Sequence, residues 1–283
     1  MVDVFKFLKK HKKRISFVKN EFHNLIIRNE FVEFEAITET VGCDVGSLEF
    51  PIYDSVMRLF IARDGYWEFE ESALLRKLVK NGQSIINVGA NVGYTTLLLS
   101  KLVGTRGQVI AIEPEKLNIN LLRRNLFTNH ATNVTMIGCA AAAENGQIDL
   151  FLSPDNAGDH RTTYNELSSS IVKVPCYRLD HILEFADQID GLVIDAQGFD
   201  HRIIEGASFI HNSKCKFVMT EFWPAGILEA GDSPQKVFSK YQQMFESVVD
   251  VPSGSDLSTL GYEDALEIMT IDKDHTTLLL TPN

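Results

Sequence analysis

The chain has few cysteines and no long apolar run. Its four cysteines, Cys43, Cys139, Cys176 and Cys215, are scattered and form no Cys-x-x-Cys pair, which argues against a disulfide framework or a thiolate zinc site. No stretch approaches the roughly 20 apolar residues that a membrane-spanning helix needs. Lysines interrupt the start of the chain, so it does not resemble a cleaved signal segment. These absences predict a reduced, cytoplasmic protein without a membrane span.

Positive charge is also scarce. Lysine and arginine number 27 against 38 aspartates and glutamates, which gives a formal net charge of -11. A nucleic-acid substrate needs a basic face to contact its phosphates. The charge balance therefore predicts a small-molecule or peptide partner and no nucleic acid.

The basic residues concentrate near the start of the chain. Residues 3–28 place apolar residues at spacings of three, four and seven, which predicts one apolar stripe on a helix. The stripe consists of Val4, Leu8, Ile15, Val18, Phe22 and Leu25. Such a helix either binds a membrane surface or anionic partner, or packs on the domain or on a second subunit; we favour packing, which raises a homodimer hypothesis. We divide the chain into an N-terminal helical extension, 1–64, and a main domain, 65–283.

From residue 65 onward, predicted strands alternate with predicted helices. A helix is predicted over Glu70–Val79, and strands follow near residues 84–88, 108–112, 134–138, 192–195, 217–221, 247–251 and 276–280. This alternation is typical of an α/β fold with a largely parallel sheet covered on both faces. Residues 148–152 and 171–176 predict a strand pair that flanks a polar loop, Ser153–Ser170.

A glycine-containing turn follows the first strand of the main domain. Residues 84–95 read SIINVGANVGYT, an apolar strand that breaks into a turn before a helix. Gly89 and Gly93 permit a tight turn, and the helix start offers unpaired N–H groups to an anionic ligand group. A dinucleotide fingerprint would require glycine at positions 91 and 94 as well. The predicted cofactor-binding residues of this turn are Asn87, Gly89, Ala90, Asn91, Gly93, Tyr94 and Thr95.

An acidic residue follows the second strand of this unit. The strand Gln108–Ile112 ends in Glu113 and Pro114, about 20 residues beyond the turn, where a carboxylate can accept hydrogen bonds from both ribose hydroxyls. An adenosine without phosphates fits both halves, which predicts S-adenosylmethionine as the cofactor. Ala140, after the third strand, is expected to line the adenine.

Four sequence blocks resemble the FkbM family of class I methyltransferases over residues 67–245. The blocks are NVGANVGY (87–94), AIEPE (111–115), VIDAQG (193–198) and EFWP (221–224). The resemblance implies a Rossmann-like class I fold with a mostly parallel seven-stranded sheet. It also implies an S-adenosylmethionine-dependent enzyme, most often an O-methyltransferase of sugars or secondary metabolites. The family usually has aspartate at Asn87 and glutamate at Gln197.

Polar residues that end buried strands are the candidates for chemistry. Asn87, Glu113, Asp195 and Glu221 end four strands, and such ends meet at one edge of a parallel sheet. Asp195 is the first candidate for the general base and Glu221 the second. Each carboxylate could instead cap the following helix. A divalent metal between Asp195 and Glu221 is disfavoured, and no metal is predicted.

Two further segments are candidates for the acceptor site. In the loop 158–161, His160 could act as a base and Arg161 could hold an acceptor carboxylate, or the loop is merely solvated. The aromatic segment that contains Trp223 is predicted to form a wall over the acceptor. Methyl transfer to a peptide or amide nitrogen, and a catalytically silent binding protein of the same fold, remain alternatives.

Overall fold

The structure is a computed structural model of the 283-residue chain. It describes residues 36–164, 168–186, 188–212, 215–269 and 274–283. The predicted N-terminal helix over 3–28, and with it the homodimer hypothesis, lie outside these residues. The domain boundary at residue 64 also stays a prediction.

A seven-stranded sheet forms the centre of the molecule, in the order β11-β12-β10-β9-β3-β4-β5. Its strands are β3 (Ser84–Val88), β4 (Gln108–Ile112), β5 (Val134–Ile137), β9 (Gly191–Ile194), β10 (Phe217–Phe222), β11 (Phe245–Asp250) and β12 (Thr276–Pro282). All run parallel except β12, which is antiparallel to both of its neighbours. Every residue of β3 and β9 is buried, as expected for central strands covered on two faces. The predicted α/β fold, with a mostly parallel seven-stranded sheet covered on both faces, is confirmed.

Helices cover both faces of this sheet and bury two apolar clusters against it. They are α1 (Met57–Asp64), α2 (Phe69–Leu78), α3 (Tyr94–Val103), α4 (Lys116–Thr128), α5 (Leu179–Ile182), α6 (Asp200–Glu205), α7 (Phe209–Asn212), α8 (Pro224–Glu229), α9 (Pro234–Met244) and α10 (Tyr262–Met269). The helix predicted over 70–79 corresponds to α2 within one residue at each end.

A hairpin precedes the sheet and shares its core. Strands β1 (Thr38–Cys43) and β2 (Gly46–Pro51) pair antiparallel, and Leu48 and Phe50 are fully buried in the apolar cluster that contains α3. Asn125 of α4 binds the hairpin, since its Oδ1 accepts from the N–H of Glu49 at 2.7 Å. The hairpin is therefore an integral part of the core.

A small second sheet lies beside the first, in the order β6-β8-β7. It consists of β6 (Ala140–Ala141), β7 (Gly146–Leu152) and β8 (Ser170–Tyr177). The predicted strand pair is confirmed, with Ile148 opposite Val174 in an antiparallel register. The segment between β7 and β8 was predicted to be too polar for the core, but Ser153, Ala157 and Thr163 are buried. Distant residues help to bury the segment: the Ala157 N–H donates to Asp54 Oδ2 at 3.1 Å, and the Asn118 amide nitrogen donates to the Ala157 carbonyl at 2.9 Å.

Two polar side chains bind partners that are distant in sequence. Asp180 lies in the first turn of α5, and its Oδ1 accepts from the N–H of Phe209 at the start of α7, 3.1 Å away. His201, in the first turn of α6, is 4% exposed, and its Nε2 lies 2.8 Å from Asp232 Oδ2. In both cases a distant segment supplies the partner, and local sequence does not reveal it.

Candidate functional site

A crevice opens at the carboxyl ends of β3 and β9, where the strand order of the sheet reverses. Open α/β sheets bind ligands at this point. Two chambers of about 620 and 750 Å³ lie along the crevice and share Gly89 and Asp195. We name them by the strand that each adjoins. The β4-side chamber is lined by Gly89, Asn91, Glu113, Pro114, Asn118, Cys139, Ala140, Gly158, His160 and Asp195, among others. The β10-side chamber is lined by Glu68, Glu71, Asn87, Gly89, Thr95, Asp195, Glu221, His275 and Thr277, among others.

Gly89 lines both chambers and lies where they meet. Its φ of 78° lies in the left-handed region, and a Cβ at this position would approach the Asp195 carbonyl oxygen to 1.8 Å. Only glycine fits, because both the backbone conformation and the space exclude a side chain. The ends of β3 and β9 therefore pack closely against each other at this point.

Glu113 lies at the edge of the β4-side chamber with both carboxylate oxygens already bound to backbone. Its Oε2 accepts from the Asn91 N–H at 2.8 Å, and its Oε1 accepts from the Glu115 N–H at 2.9 Å. Burial raises the pKa of this carboxyl to about 7, although the two backbone hydrogen bonds oppose the rise. The Asn118 side chain also hydrogen-bonds this carboxylate. Since a carboxylate has about four acceptor sites, Glu113 can still accept a hydrogen bond from a ligand.

Asn118 is a chamber residue that the sequence analysis missed. It lies in the first turn of α4, where Glu115 caps the helix by accepting from the Asn118 N–H at 2.6 Å. The Asn118 amide nitrogen donates to the Ala157 carbonyl, and its buried Oδ1 has no partner among the described residues. A buried polar atom without a partner is costly. The available signal was a polar residue on the buried face of the helix that follows Glu113.

The segment 158–161 reaches the site through one of its two predicted residues. His160 lines the β4-side chamber, its Nδ1 accepts from the Ser153 N–H at 3.1 Å, and burial lowers the pKa of its imidazole. Arg161 does not line either chamber. Its guanidinium binds Asp159 at 2.5 Å and stacks on the Trp223 ring, 4.4 Å from the centroid. Arg161 is therefore engaged within the protein.

Trp223 packs against Arg161 and Gly226 and lines neither chamber. Besides the Arg161 stack, its ring packs on the backbone of Gly226, where a Cβ would meet it at 2.1 Å. The predicted aromatic wall thus packs behind the crevice edge. Its Nε1 is buried and has no hydrogen-bond partner in the described part of the chain.

Three carboxylates meet at the β10-side chamber: Asp195, Asp200 and Glu221. Asp195 opens into the crevice, and its Oδ1 accepts from the Gln197 side-chain amide at 2.7 Å. Asp200 lies behind it, 2% exposed, and accepts from three groups: the N–H groups of Ala196 and Glu221 and the Thr220 hydroxyl, each at 3.1 Å. Glu221 Oε2 is buried and has no partner among the described residues.

Burial is the largest cause of a raised pKa at all three carboxyls. Burial, then the charges of Asp195 and Asp200, raise the pKa of Glu221 well above its usual range. Burial and then Asp195 raise the pKa of Asp200 to about 7. For Asp195, the confining crevice walls raise the pKa, and Gln197 and His275 oppose the rise. Like charges at short range disfavour full ionisation, so the cluster can hold and release a proton near neutral pH.

His275 and two acidic residues of the chamber were not predicted. The Nε2 of His275 lies 3.6 Å from Glu221 Oε1, and Glu71 Oε1 accepts from the Thr277 hydroxyl at 2.9 Å; Glu68 completes the lining. Because β12 runs antiparallel, the residue before it lies at the same edge as the ends of the parallel strands. The sequence rule selects residues at the ends of parallel strands, and it does not select His275, which precedes the antiparallel strand β12.

The predicted residues of the glycine turn divide into two groups. Asn87 and Thr95 line the β10-side chamber, and the Asn87 amide nitrogen donates to the Thr96 hydroxyl at 2.9 Å. Ala90, Gly93 and Tyr94 line neither chamber. The Tyr94 hydroxyl donates to Asp44 Oδ1 at 2.9 Å, so its side chain points away and only its backbone could contact a ligand. The cofactor role of these three remains a prediction.

The four residues predicted from strand ends thus lie along one crevice: Asn87, Glu113, Asp195 and Glu221. The model of the methyltransferase FkbM domain matches residues 87–262. The chain belongs to this family. The predicted resemblance to FkbM methyltransferases is confirmed, and the match contains Asn87, Glu113, Asp195 and Glu221.

Individual relatives of this FkbM-family chain are distant. Over 58 residues it is 38% identical to a protein described as a probable cobalt-precorrin-6B C(15)-methyltransferase (decarboxylating) of Saccharolobus solfataricus, a match over 20% of this chain and 29% of that protein. The FkbM methyltransferase structure from Methylobacillus flagellatus KT is 16% identical, with a TM-score of 0.41, over 70% of this chain and 43% of that one. Aeropyrum pernix fibrillarin, crystallised with S-adenosyl-L-methionine, is 13% identical with a TM-score of 0.43, over 87% and 100% of the two chains.

Two structural features are absent from the described residues. Among them, no helix is both long and apolar enough to cross a lipid bilayer. Within the same ranges, no group of three or more histidine, cysteine, aspartate or glutamate side chains has an arrangement that could hold a metal ion.

Proposed function

We propose that this FkbM-family protein is an S-adenosylmethionine-dependent methyltransferase that methylates a hydroxyl of a sugar or secondary metabolite, in natural-product biosynthesis. The observation that carries the proposal is the pair of chambers joined at Gly89 and Asp195. One chamber suits an adenosine and the other holds carboxylates that can act as bases. The net charge of -11 supports a small-molecule or peptide acceptor over a nucleic acid.

The residues present fit the adenosine and methionine ends of this cofactor. Glu113 keeps acceptor capacity for the ribose hydroxyls beside its bonds to Asn91, Glu115 and Asn118, and Ala140 and Cys139 offer a small, apolar surface for the adenine. Asn87 has its amide nitrogen bound to Thr96, which leaves its carbonyl oxygen for the methionine amino group. Gly89 supplies the space between the two ends. The cofactor supplies an electrophilic methyl group and leaves as a neutral thioether.

Asp195 is the proposed general base. It opens into both chambers, so its carboxylate lies where a hydroxyl in the β10-side chamber would meet the cofactor. The Gln197 amide donates to its Oδ1, and Oδ2 is the oxygen proposed to accept the proton. Asp195 accepts the hydroxyl proton as the oxygen is methylated, and a positioned base of this kind contributes about 10²–10⁴-fold to the rate. Glu221 is the second candidate.

Alignment supplies the rest of the catalysis. Methyl transfer is an in-line displacement, and a protein accelerates it mainly by holding the reacting atoms in a near-attack geometry. The tight contact between Gly89 and the Asp195 carbonyl fixes the two strand ends that would define this geometry. His160, on the adenosine side, is a candidate for positioning the ligand. Arg161 lines neither chamber and stacks on Trp223.

Equilibrium binding of S-adenosylhomocysteine by calorimetry tests the proposal. We expect saturable binding whose affinity rises with pH up to about 7 and then levels, because the ionised Glu113 accepts the ribose hydrogen bonds and its pKa in the free protein is about 7. Glu113→Gln should weaken binding about 10- to 100-fold, the worth of hydrogen bonds to a charged group, and flatten the pH dependence. The matched control is Glu246→Gln, on the exposed face of β11.

Absence of binding, or equal affinity in Glu113→Gln and wild type, would remove the proposal. Mass spectrometry of products formed with isotope-labelled methyl donor then separates the alternatives. Label on oxygen supports the proposal, label on a peptide or amide nitrogen supports the alternative acceptor, and binding without turnover in extracts supports a silent protein.

A further inference from the structure

The loop between β7 and β8 contributes to the lining of the β4-side chamber. Ala157, Gly158 and His160 line this chamber, and we call residues 155–160 the chamber loop. The chamber loop belongs to no helix or strand. Its position beside the proposed cofactor site therefore depends on contacts with other segments of the chain.

Asp54, about a hundred positions earlier in the sequence, binds the centre of the chamber loop. The Ala157 N–H donates to Asp54 Oδ2 at 3.1 Å, and the Asp54 side chain is fully buried. Its other oxygen, Oδ1, accepts from the N–H groups of Val56 and Arg58 at 3.1 and 3.0 Å, at the start of α1. One buried carboxylate thus joins the chamber loop to α1, through hydrogen bonds of the strong, charge-assisted kind.

Two neighbouring contacts hold the same segments together. The Ser55 N–H and the Ser55 hydroxyl both donate to the Asp155 carbonyl, at 2.8 and 3.1 Å. On the chamber side, the Asn118 amide nitrogen donates to the Ala157 carbonyl at 2.9 Å. The backbone of Ala157 is therefore bound at both polar groups, its N–H by Asp54 and its carbonyl by Asn118.

Asp54 lies outside the part of the chain that the family shares. The FkbM domain model matches residues 87–262, and Asp54 lines neither chamber. The start of α1 nevertheless contacts the cofactor turn, since the Asn91 amide nitrogen lies 3.6 Å from Met57 Sδ, and the Asn91 N–H binds Glu113. A segment that precedes the family domain thus supports the β4-side chamber from behind its lining.

We propose that Asp54 is a positioning residue for the cofactor, because it holds the chamber loop, through Ala157, in the conformation that binds S-adenosylmethionine. The inference rests on the proposed methyltransferase function and adds residues 54–58 to the parts of the chain that its cofactor site requires. Without the Asp54 bond, the loop populates other conformations. The apparent affinity then falls with the fraction of molecules that keep the competent one, since the ligand must also order the loop.

Asp54→Asn tests this inference by calorimetry with S-adenosylhomocysteine on the full chain. An amide has one acceptor oxygen and one NH₂ donor, so it cannot accept from both Ala157 and the start of α1. We expect the dissociation constant to rise at least about 10-fold, the worth of a hydrogen bond to a charged group. Amide hydrogen exchange in the free protein should become faster in the chamber loop by a larger factor than in β9.

Asp190→Asn is the matched control. Asp190 is also buried, and it accepts from the Ser84 N–H at 2.9 Å and from the Gln188 side-chain amide at 2.8 Å. It directly precedes β9, so it lies at the edge of the sheet opposite the crevice. The same substitution there should lower stability, yet leave the affinity for S-adenosylhomocysteine within about 3-fold of wild type.

A second variant, Ser55→Ala, provides the test if Asp54→Asn does not fold. Ser55 is exposed, and the substitution removes only its hydroxyl bond to Asp155, so we expect about 2- to 3-fold weaker binding. Wild-type affinity in Asp54→Asn, or in Ser55→Ala if that variant replaces it, would overturn the inference. An equal loss in Asp190→Asn, or unchanged exchange in the chamber loop, would do the same. Failure of the wild type to bind S-adenosylhomocysteine would instead remove the proposed function.

Discussion

The two chambers of the crevice differ in the number of acidic side chains that line them, two in the β4-side chamber and four in the β10-side chamber. In the β4-side chamber, Glu113 receives two backbone N–H bonds and His160 accepts another from Ser153. In the β10-side chamber, one buried oxygen of Glu221 has no donor among the described residues, and Glu221 lies in a cluster of like charges. The comparison indicates that unfavourable negative charge is concentrated in the β10-side chamber.

The sharpest test of this division is Asp195→Asn, at the junction. We expect kcat to fall about 10²–10⁴-fold, the usual worth of a positioned base, with S-adenosylhomocysteine affinity changed by less than about 3-fold. Product formation from labelled donor and calorimetry supply the two measurements. Wild-type turnover in this variant would return Asp195 to a structural role, and a large loss of cofactor affinity would make the two chambers one functional unit.

Gly89→Ala tests whether the backbone turn at the junction of the two chambers is as rigid as the geometry indicates. The added Cβ meets the Asp195 carbonyl at 1.8 Å, and φ of 78° strains any side chain. We expect a loss of about 3 kcal/mol in the free energy of unfolding by urea, from clash and strain together. Gly42→Ala on β1 has nothing within 4 Å, so it should change stability by about 0.5 kcal/mol or less. Equal effects would show that the turn can relax.

Glu221→Gln tests the stored charge in the absence of ligand. The folded-state pKa of Glu221 is raised, so its contribution to stability is fully present below the unfolded pKa and is lost as pH rises toward the folded value. The neutral amide escapes this loss. We expect the variant to exceed wild type by about 1 kcal/mol in urea unfolding at pH 8, with a smaller gain at pH 5.

The control for this smallest effect is Glu246→Gln, which is exposed and should show no pH-dependent gain. A Glu221→Gln variant that is less stable than wild type at both pH values would mean that the carboxylate is satisfied in the folded protein. The contrast between the chambers would then disappear.

Regular, buried elements of this protein are predictable from its sequence because local pattern determines them. The strand 108–112 is found with the predicted bounds, and the turn at Gly89 has the left-handed backbone that the glycine indicated. The strand-end residues Glu113, Asp195 and Glu221 were identified because parallel strands all end at one edge, a rule that needs no knowledge of distant contacts.

What the sequence did not reveal depends on contacts between distant segments. His275 lies 54 positions after Glu221, and only the antiparallel pairing of their strands brings the two together. Asp200 resembles an ordinary first residue of a helix, and its importance comes from Thr220 and Glu221 across the sheet. Arg161 was a candidate to hold an acceptor carboxylate, with a solvated loop as the alternative; its guanidinium instead binds Asp159 and stacks on Trp223. Pairing of this kind is set by tertiary packing.

The position of β12 has a consequence for the order of assembly. This strand lies between β10 and β11, although the chain makes both of those strands before it. Until residues 276–282 emerge from the ribosome, β10 has an unpaired edge and His275 cannot approach Glu221. The β10-side chamber is thus completed by a strand that is synthesised after both of its neighbours, and until then the nascent chain displays an open strand edge that a chaperone could recognise.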